Sequence, residues 1–202
     1  MRLLLARHAP TDWNAEARFQ GQEDIALGAA GRKVAALLAE RLGGERIDEI
    51  QTSDLRRAWE TARAVADARR LPLRSDPRLR ELHFGSWEGL TYGEVRQAYP
   101  EALEAWEADA LRVAPPGGET VAQLASRVGA FLGGLTAEAT LDRTVLVVAH
   151  QGSLQVLLCL ALGLPPRARW QFRLEAGGLS DLNLYPEGAI VNFLNDTYHL
   201  NL

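Results

Sequence analysis

The sequence predicts an α/β fold: a three-layer α/β/α sandwich in which helices cover both faces of a mostly parallel central sheet. Three observations predict it. Short apolar runs alternate with amphipathic stretches along the 202 residues. One of those runs, Thr144–Ala149, is continuous, β-branched and bounded by polar residues, as a central parallel strand covered on both faces must be. No repeat, linker or low-complexity tract breaks the alternation, so residues 1–202 read as a single domain.

Each element has its own warrant. Residues 1–6 read as a short buried strand, an apolar run that stops at Arg7 and His8. Residues 28–42 carry Val34, Leu37, Leu38 and Leu42 at helical spacing, and Gly43-Gly44 ends that helix. Residues 47–52 make a second strand. Ser53 or Asp54 then caps a helix reaching about Ala68, with Arg57, Thr61 and Ala64 at helical steps. Residues 71–75 read as an edge strand limited by Pro72. Residues 88–110 are polar and aromatic, helical with a break at Tyr99-Pro100. Residues 114–118 form a loop, and 119–135 an amphipathic helix. A further helix covers 153–162, and residues 179–185 and 189–194 flank Pro186-Glu187-Gly188 as a hairpin.

Composition narrows the function. Hydrophobic residues make up 47% and charged residues 24%, the balance of an ordinary globular protein. The one cysteine, Cys159, allows no internal disulfide and reads as a small core residue, which fits a reducing compartment. After Met1-Arg2 only four apolar residues, Leu3 to Ala6, precede Arg7, too short a run for an export signal or a membrane span, so the expected location is cytoplasmic. A net charge of −4 argues against a nucleic-acid partner, which needs a broad basic face. No membrane partner is indicated, and a homodimer is left open. Of the 22 basic residues only Lys33 is a lysine, and a few of the arginines stand where they could clamp a phosphate.

In open α/β sheets the working groups gather at the carboxyl ends of strands. Two strands here run into histidine: the first into His8, directly after Arg7, and Thr144–Ala149 into His150. A neutral imidazole is a competent nucleophile, and an adjacent guanidinium both holds a phosphate dianion and disfavours protonation of the ring. An Arg-His pair alone is a weak signal. Its surroundings strengthen it.

Residues 5–14, Leu-Ala-Arg-His-Ala-Pro-Thr-Asp-Trp-Asn, followed by Arg18-Phe19-Gln20-Gly21, resemble the signature loop of the histidine phosphatase superfamily, also called the phosphoglycerate mutase-like family. Further blocks follow in that family's order: residues 53–62 around Arg57, residues 79–89 around Glu81, Gly117-Gly118-Glu119-Thr120 with Arg127 after it, and Val147-Val148-Ala149-His150. The resemblance runs from residue 3 to about 160. It implies a phosphoglycerate mutase-like fold and gives each residue a role. His8 matches the nucleophile that becomes phosphohistidine; Arg7, Arg57 and His150 match the groups on the equatorial oxygens of the phosphate. Asn14 matches a further phosphate donor, and Gln20 and Gly21 line the pocket. Glu81 matches the general acid that protonates the leaving oxygen and then activates water. No metal and no cofactor are implied; His8, His83, His150 and His199 show no close-spaced ligand pattern.

Several positions depart from the family pattern. Ala9 and Gln151 stand where glycines are usual after the two histidines, and Gly28 replaces a common threonine. Gln151 is open to two uses, a backbone amide at a helix N-terminus or a side chain reaching the substrate. His83 either lines the substrate pocket or covers the loop. His199 is expected at the surface. Trp87, Trp106 and Trp170 belong in packing, with a substrate wall as the second reading.

The expected activity is a metal-independent phosphomonoesterase acting on a small phosphorylated metabolite, with α-ribazole 5′-phosphate or a sugar phosphate as the named guess. The alternatives are a phosphoglycerate mutase and, from another class, a non-catalytic phospho-ligand binder. A mutase needs extra basic residues for a second phosphate, yet between Glu88 and Asp109 only Arg96 is basic. A binder of that kind tends to lose the nucleophile or an arginine, and here all are in place. The whole reading requires both imidazoles to face one anion and to reach solvent.

Overall fold

A computed structural model describes residues 1–137 and 142–200. Six strands form one sheet: β1 (Arg2–Arg7), β2 (Glu49–Thr52), β3 (Leu73–Ser75), β4 (Thr144–Ala149), β5 (Leu179–Tyr185) and β6 (Gly188–Asp196). They lie in the order β3-β2-β4-β1-β5-β6. The first four run parallel, and β5 and β6 add an antiparallel hairpin at one side. The expected sandwich is present, and β3 does sit at an edge. β4 occupies the middle with all six residues buried, as its unbroken apolar run predicts.

Alternation along the strands sorts the core into two layers. Leu3, Leu5, Val145 and Val147 face α6 (Val121–Ala137) and α7 (Gln151–Ala161), where they pack on Leu124, Val128, Phe131 and Leu157. Leu4, Ala6, Leu146 and Val148 face the other way, onto α2 (Ala29–Arg41) and α3 (Arg56–Arg69) through Leu38, Leu42, Ala62 and Val65. Adjacent residues thus serve opposite layers. Burial of each aliphatic side chain stabilises the fold by about 1.5–3 kcal/mol, so this double-sided core dominates its stability. Cys159 is buried in α7 as a core residue.

The smaller elements refine the sequence reading. The region 88–110 becomes α4 (Tyr92–Ala98) and α5 (Pro100–Asp109), broken at Tyr99-Pro100 as expected. Its helical part starts only at Tyr92, because Thr91 and Glu94 form a capping box there. The cap of α3 differs from expectation. Leu55 takes the N-cap position, and neither Ser53 nor Asp54 caps the helix end as predicted. The Asp54 carboxylate instead pairs with Arg80, Nε to Oδ1 2.7 Å, while Asp24 accepts the first helical N–H, that of Arg56, at 2.7 Å. His199 is not a free surface group: Nε2 lies 3.1 Å from the Gly177 carbonyl oxygen, and burial lowers its basicity. Among the described residues no helix is long and apolar enough to cross a membrane.

Candidate active site

The register of the central strands builds the site. β1 and β4 are parallel neighbours with Arg7 opposite Ala149, so His8 and His150, one residue further on, emerge side by side. Their ring centroids are 5.2 Å apart. Two histidines separated by most of the chain are brought together by hydrogen-bonded backbone alone.

The backbone also fixes the state of His8. Its Nδ1 lies 2.8 Å from the Ala9 carbonyl oxygen, so Nδ1 carries the hydrogen and Nε2 keeps a free lone pair. Ala9 retains that carbonyl despite its methyl, and its own N–H donates to Thr61 Oγ1 at 3.0 Å, tying the loop to α3. Burial together with the charges of Arg57 and Arg7 holds the His8 imidazole well below its ordinary basicity. The ring is neutral at pH 7 and nucleophilic.

Arg7 and Arg57 are held with their charges buried. Arg7 donates from Nη1 to the Leu174 carbonyl at 2.7 Å. Arg57 is fully buried and donates to the carbonyls of Glu23 and Gly21, each at 2.7 Å. Burial lowers the basicity of both, Arg57 to about 10, so both remain cationic at neutral pH. Asn14, in the single-turn helix α1 (Asp12–Ala15), turns its amide oxygen to the Thr11 N–H at 2.9 Å, which leaves its NH2 as the end available to a ligand.

Glu81 approaches from a different layer. Its carboxylate accepts the N–H of Leu82 at 2.8 Å and that of Gly152, in the first turn of α7, at 3.1 Å. A Cβ on residue 152 would overlap that carboxylate as it is placed, so a side chain there would push the end of Glu81 aside. The loop that carries Glu81 is gripped by Arg127, which donates to the carbonyls of Arg78, Arg80 and Glu81 and pairs with Glu119. Glu88 adds a second brace, with Oε1 accepting the N–H groups of Gln22 and Phe84, each at 2.9 Å. Gly21 has φ +50 and faces that same carboxylate with no room for a side chain. The bracing roles of Arg127 and Glu88 were not read from the sequence. An acid with three carbonyls around its partner arginine has no local signature.

A cavity of about 220 Å³ joins these parts; Arg7, His8, Asn14, Gln20, Gly21, Arg57, Glu81 and Gln151 all line it. Two expected residues do not. His83 turns away from the cavity, with a 40% exposed side chain whose Nε2 is 3.7 Å from Glu88, so it covers the loop. His150 corrects the expectation that both rings reach solvent. His8 meets the requirement narrowly at 3% exposure, but His150 is fully covered and absent from the cavity wall. Its position explains this, since it caps the end of the wholly buried β4 with the His8 ring alongside. Neither nitrogen of the His150 ring has a partner among the described residues, an arrangement that costs about 1–3 kcal/mol per buried polar group. The N–H of its neutral ring is therefore uncommitted and can donate to an anion that reaches it. Trp87 is core, Trp106 lines the cavity and Trp170 is exposed. Among the described residues no group of three or more His, Cys, Asp or Glu side chains could hold a metal ion.

A buried neutral histidine between two captive guanidiniums, facing a carboxyl group, is an arrangement for phosphoryl transfer. Residues 3–197 match the histidine phosphatase superfamily (branch 1). The chain belongs to that superfamily. It is an enzyme of the phosphatase kind, as the names of its relatives also have it. Phosphoserine phosphatase 1 of Hydrogenobacter thermophilus is 33% identical to this histidine phosphatase over 99% of this chain and 94% of the relative. Glucosyl-3-phosphoglycerate phosphatase of Mycolicibacterium vanbaalenii is 42% identical over 81% of this chain and 75% of its own length. The crystal structure of the α-ribazole phosphatase from Shigella flexneri superposes with a TM-score of 0.90, at 32% identity, covering 97% of this phosphatase and 96% of that chain.

Proposed function

We propose that the protein is a metal-independent phosphomonoesterase that acts on a small phosphorylated metabolite through a phosphohistidine on His8. The observation that carries the reading is the pairing of β1 with β4, which sets a neutral His8 beside His150 and next to Arg7, with Arg57 of α3 close enough to act on both rings.

The chemistry follows from the groups. Arg7, Arg57 and the Asn14 amide take the equatorial phosphate oxygens and neutralise charge that spreads over them in the transition state. The Nε2 lone pair of His8 forms a bond to phosphorus as the bond to the ester oxygen breaks. Glu81 gives its proton to that oxygen, so the alcohol departs neutral. In the second half the ionised Glu81 takes a proton from water, the resulting nucleophile attacks phosphorus, and the bond to His8 breaks to release phosphate. His150 joins the set of phosphate ligands as an entering anion draws its uncommitted ring into contact.

The relatives differ in the alcohol they release by name, so the resemblance supports the class of ester and not one member of it. The scarcity of basic residues between Glu88 and Asp109 favours hydrolysis over mutase chemistry. The test is turnover of a generic phosphomonoester in the presence of a chelator, followed by a search for acid-labile phosphate on His8. Full activity with label on His8 is the expected result. Loss of activity with chelator, or interconversion of phosphoglycerates faster than any hydrolysis, would overturn it.

A further inference from the structure

One cation on the cavity wall has no part in the arrangement above. Arg169 lies in the short turn Pro166–Gln171 and is half-buried. The other guanidiniums of the cavity are committed: Arg7 and Arg57 donate to carbonyls, and Arg18 pairs with Glu16 and Glu94. The Arg169 guanidinium lines the same cavity yet makes no hydrogen bond or ion pair with any described residue. Burial pulls its basicity down, and the Glu81 carboxylate across the cavity opposes that only in part.

The charges of the cavity show what would complete it. With Arg18 paired to its own carboxylates, the charged side chains lining the interior are Arg7, Arg57 and Arg169 against Glu81. Glu175 also acts on Arg7, and Asp24 and Glu88 on Arg57, whereas Glu81 is the one carboxylate acting on Arg169 among the described residues. A phosphomonoester dianion balances two of those cations. In the step where Glu81 carries the proton, its charge is gone and one guanidinium is left over. That guanidinium is Arg169, since Arg7 and Arg57 keep other carboxylates nearby, and one negative charge on the substrate would match it. Position says where on the substrate it belongs. Arg169 also lines a neighbouring cleft of about 800 Å³, so it stands where the alcohol part of an ester would leave the phosphate cavity. The indole N–H of Trp106, on the wall of the first cavity, is another donor without a partner among the described residues.

We infer that Arg169 binds a carboxylate carried by the leaving alcohol, so that the protein selects phosphate esters of hydroxy acids over those of neutral alcohols. This rests on the phosphatase reading above. A carboxylate fits better than a second phosphate because one cation, not two, is unmatched, and guanidinium and carboxylate form paired hydrogen bonds.

The inference is tested first without turnover. Calorimetry compares 3-phosphonopropionate with propylphosphonate, which differ in the carboxylate, on the native protein, Arg169→Gln and Arg169→Lys. The native protein should bind the carboxylated ligand about tenfold tighter or more, Arg169→Gln should erase the ratio, and Arg169→Lys should keep part of it. Unchanged propylphosphonate affinity shows that the variants remain folded. Equal affinities in the native protein, or equal weakening of both ligands in Arg169→Gln, would mean that Arg169 serves only the phosphate or Glu81, and the inference fails. Tighter binding of a bisphosphonate of the same length also overturns it, in favour of a second phosphate. Kinetics then separates the two readings, with 3-phosphoglycerate against glycerol 3-phosphate. Arg169→Gln should raise KM for the first and leave the second alone. Hydrolysis of neither ester with an intact binding ratio sinks the phosphatase reading and spares Arg169; equal hydrolysis of both sinks Arg169 alone.

Discussion

The two halves of the cavity are built on different principles. The phosphate half, with Arg7, His8 and His150, hangs from a parallel ladder whose strands are buried on both faces. The leaving-group half, with Glu81, is a loop between a short 3-10 turn and α4, held by the side chains of Arg127 and Glu88. Backbone pairing spreads its constraint over many bonds, whereas a loop on two long side chains depends on each of them. If the proposed roles hold, the strand-borne groups should be lost chiefly by replacing them, whereas Glu81 should be open to displacement through Arg127 and Glu88.

That contrast can be broken by experiment. The largest effect belongs to His8→Ala, expected to lower kcat by about 10³-fold or more while leaving the fold intact. Retention of more than a few per cent of kcat would remove His8 from the reaction. Next comes Arg127→Met, which frees three carbonyls and Glu119 together. We expect kcat to fall by about 10–100-fold, with the inhibition constant of inorganic phosphate unchanged. Equal losses in both quantities would show that the two halves are one mechanical unit.

The smallest effect is on stability against pH. Both imidazoles resist protonation in the folded chain, whereas the unfolded chain takes up protons near the ordinary value of 6.5. The unfolded state therefore binds more protons below that pH, and stability is full above it and falls as pH drops. Each ring costs about 1 kcal/mol between pH 6.5 and about pH 5.5. Urea unfolding at both values would measure it, and His150→Gln should remove one ring's share. An acid sensitivity unchanged in that variant would place its origin elsewhere.

The same contrast explains what the sequence made legible. β4 announces itself through six consecutive apolar or β-branched residues, and the histidine after it inherits a predictable place. The helical step of Arg57, Thr61 and Ala64 makes α3 legible, but Arg57's place in the site comes from the resemblance of residues 53–62. The cap of α3 was misread because Asp54 has a better partner, Arg80, 26 residues away, and sequence distance hides such a pair. Arg169 escaped notice because a six-residue 3-10 turn carries no periodicity to mark which side faces inward. The covering of His150 was invisible for a related reason: the residue type and its strand position are local facts, but exposure depends on everything packed around them.

Gly152 carries a last lesson about how this site can vary. Its missing side chain leaves the space into which Glu81 leans from another part of the chain. Position 152 is consequently not a free helix residue, and the two sites should drift only as a pair. A larger residue at 152 requires the end of the Glu81 side chain to swing aside, so the two positions are coupled across 71 residues of sequence.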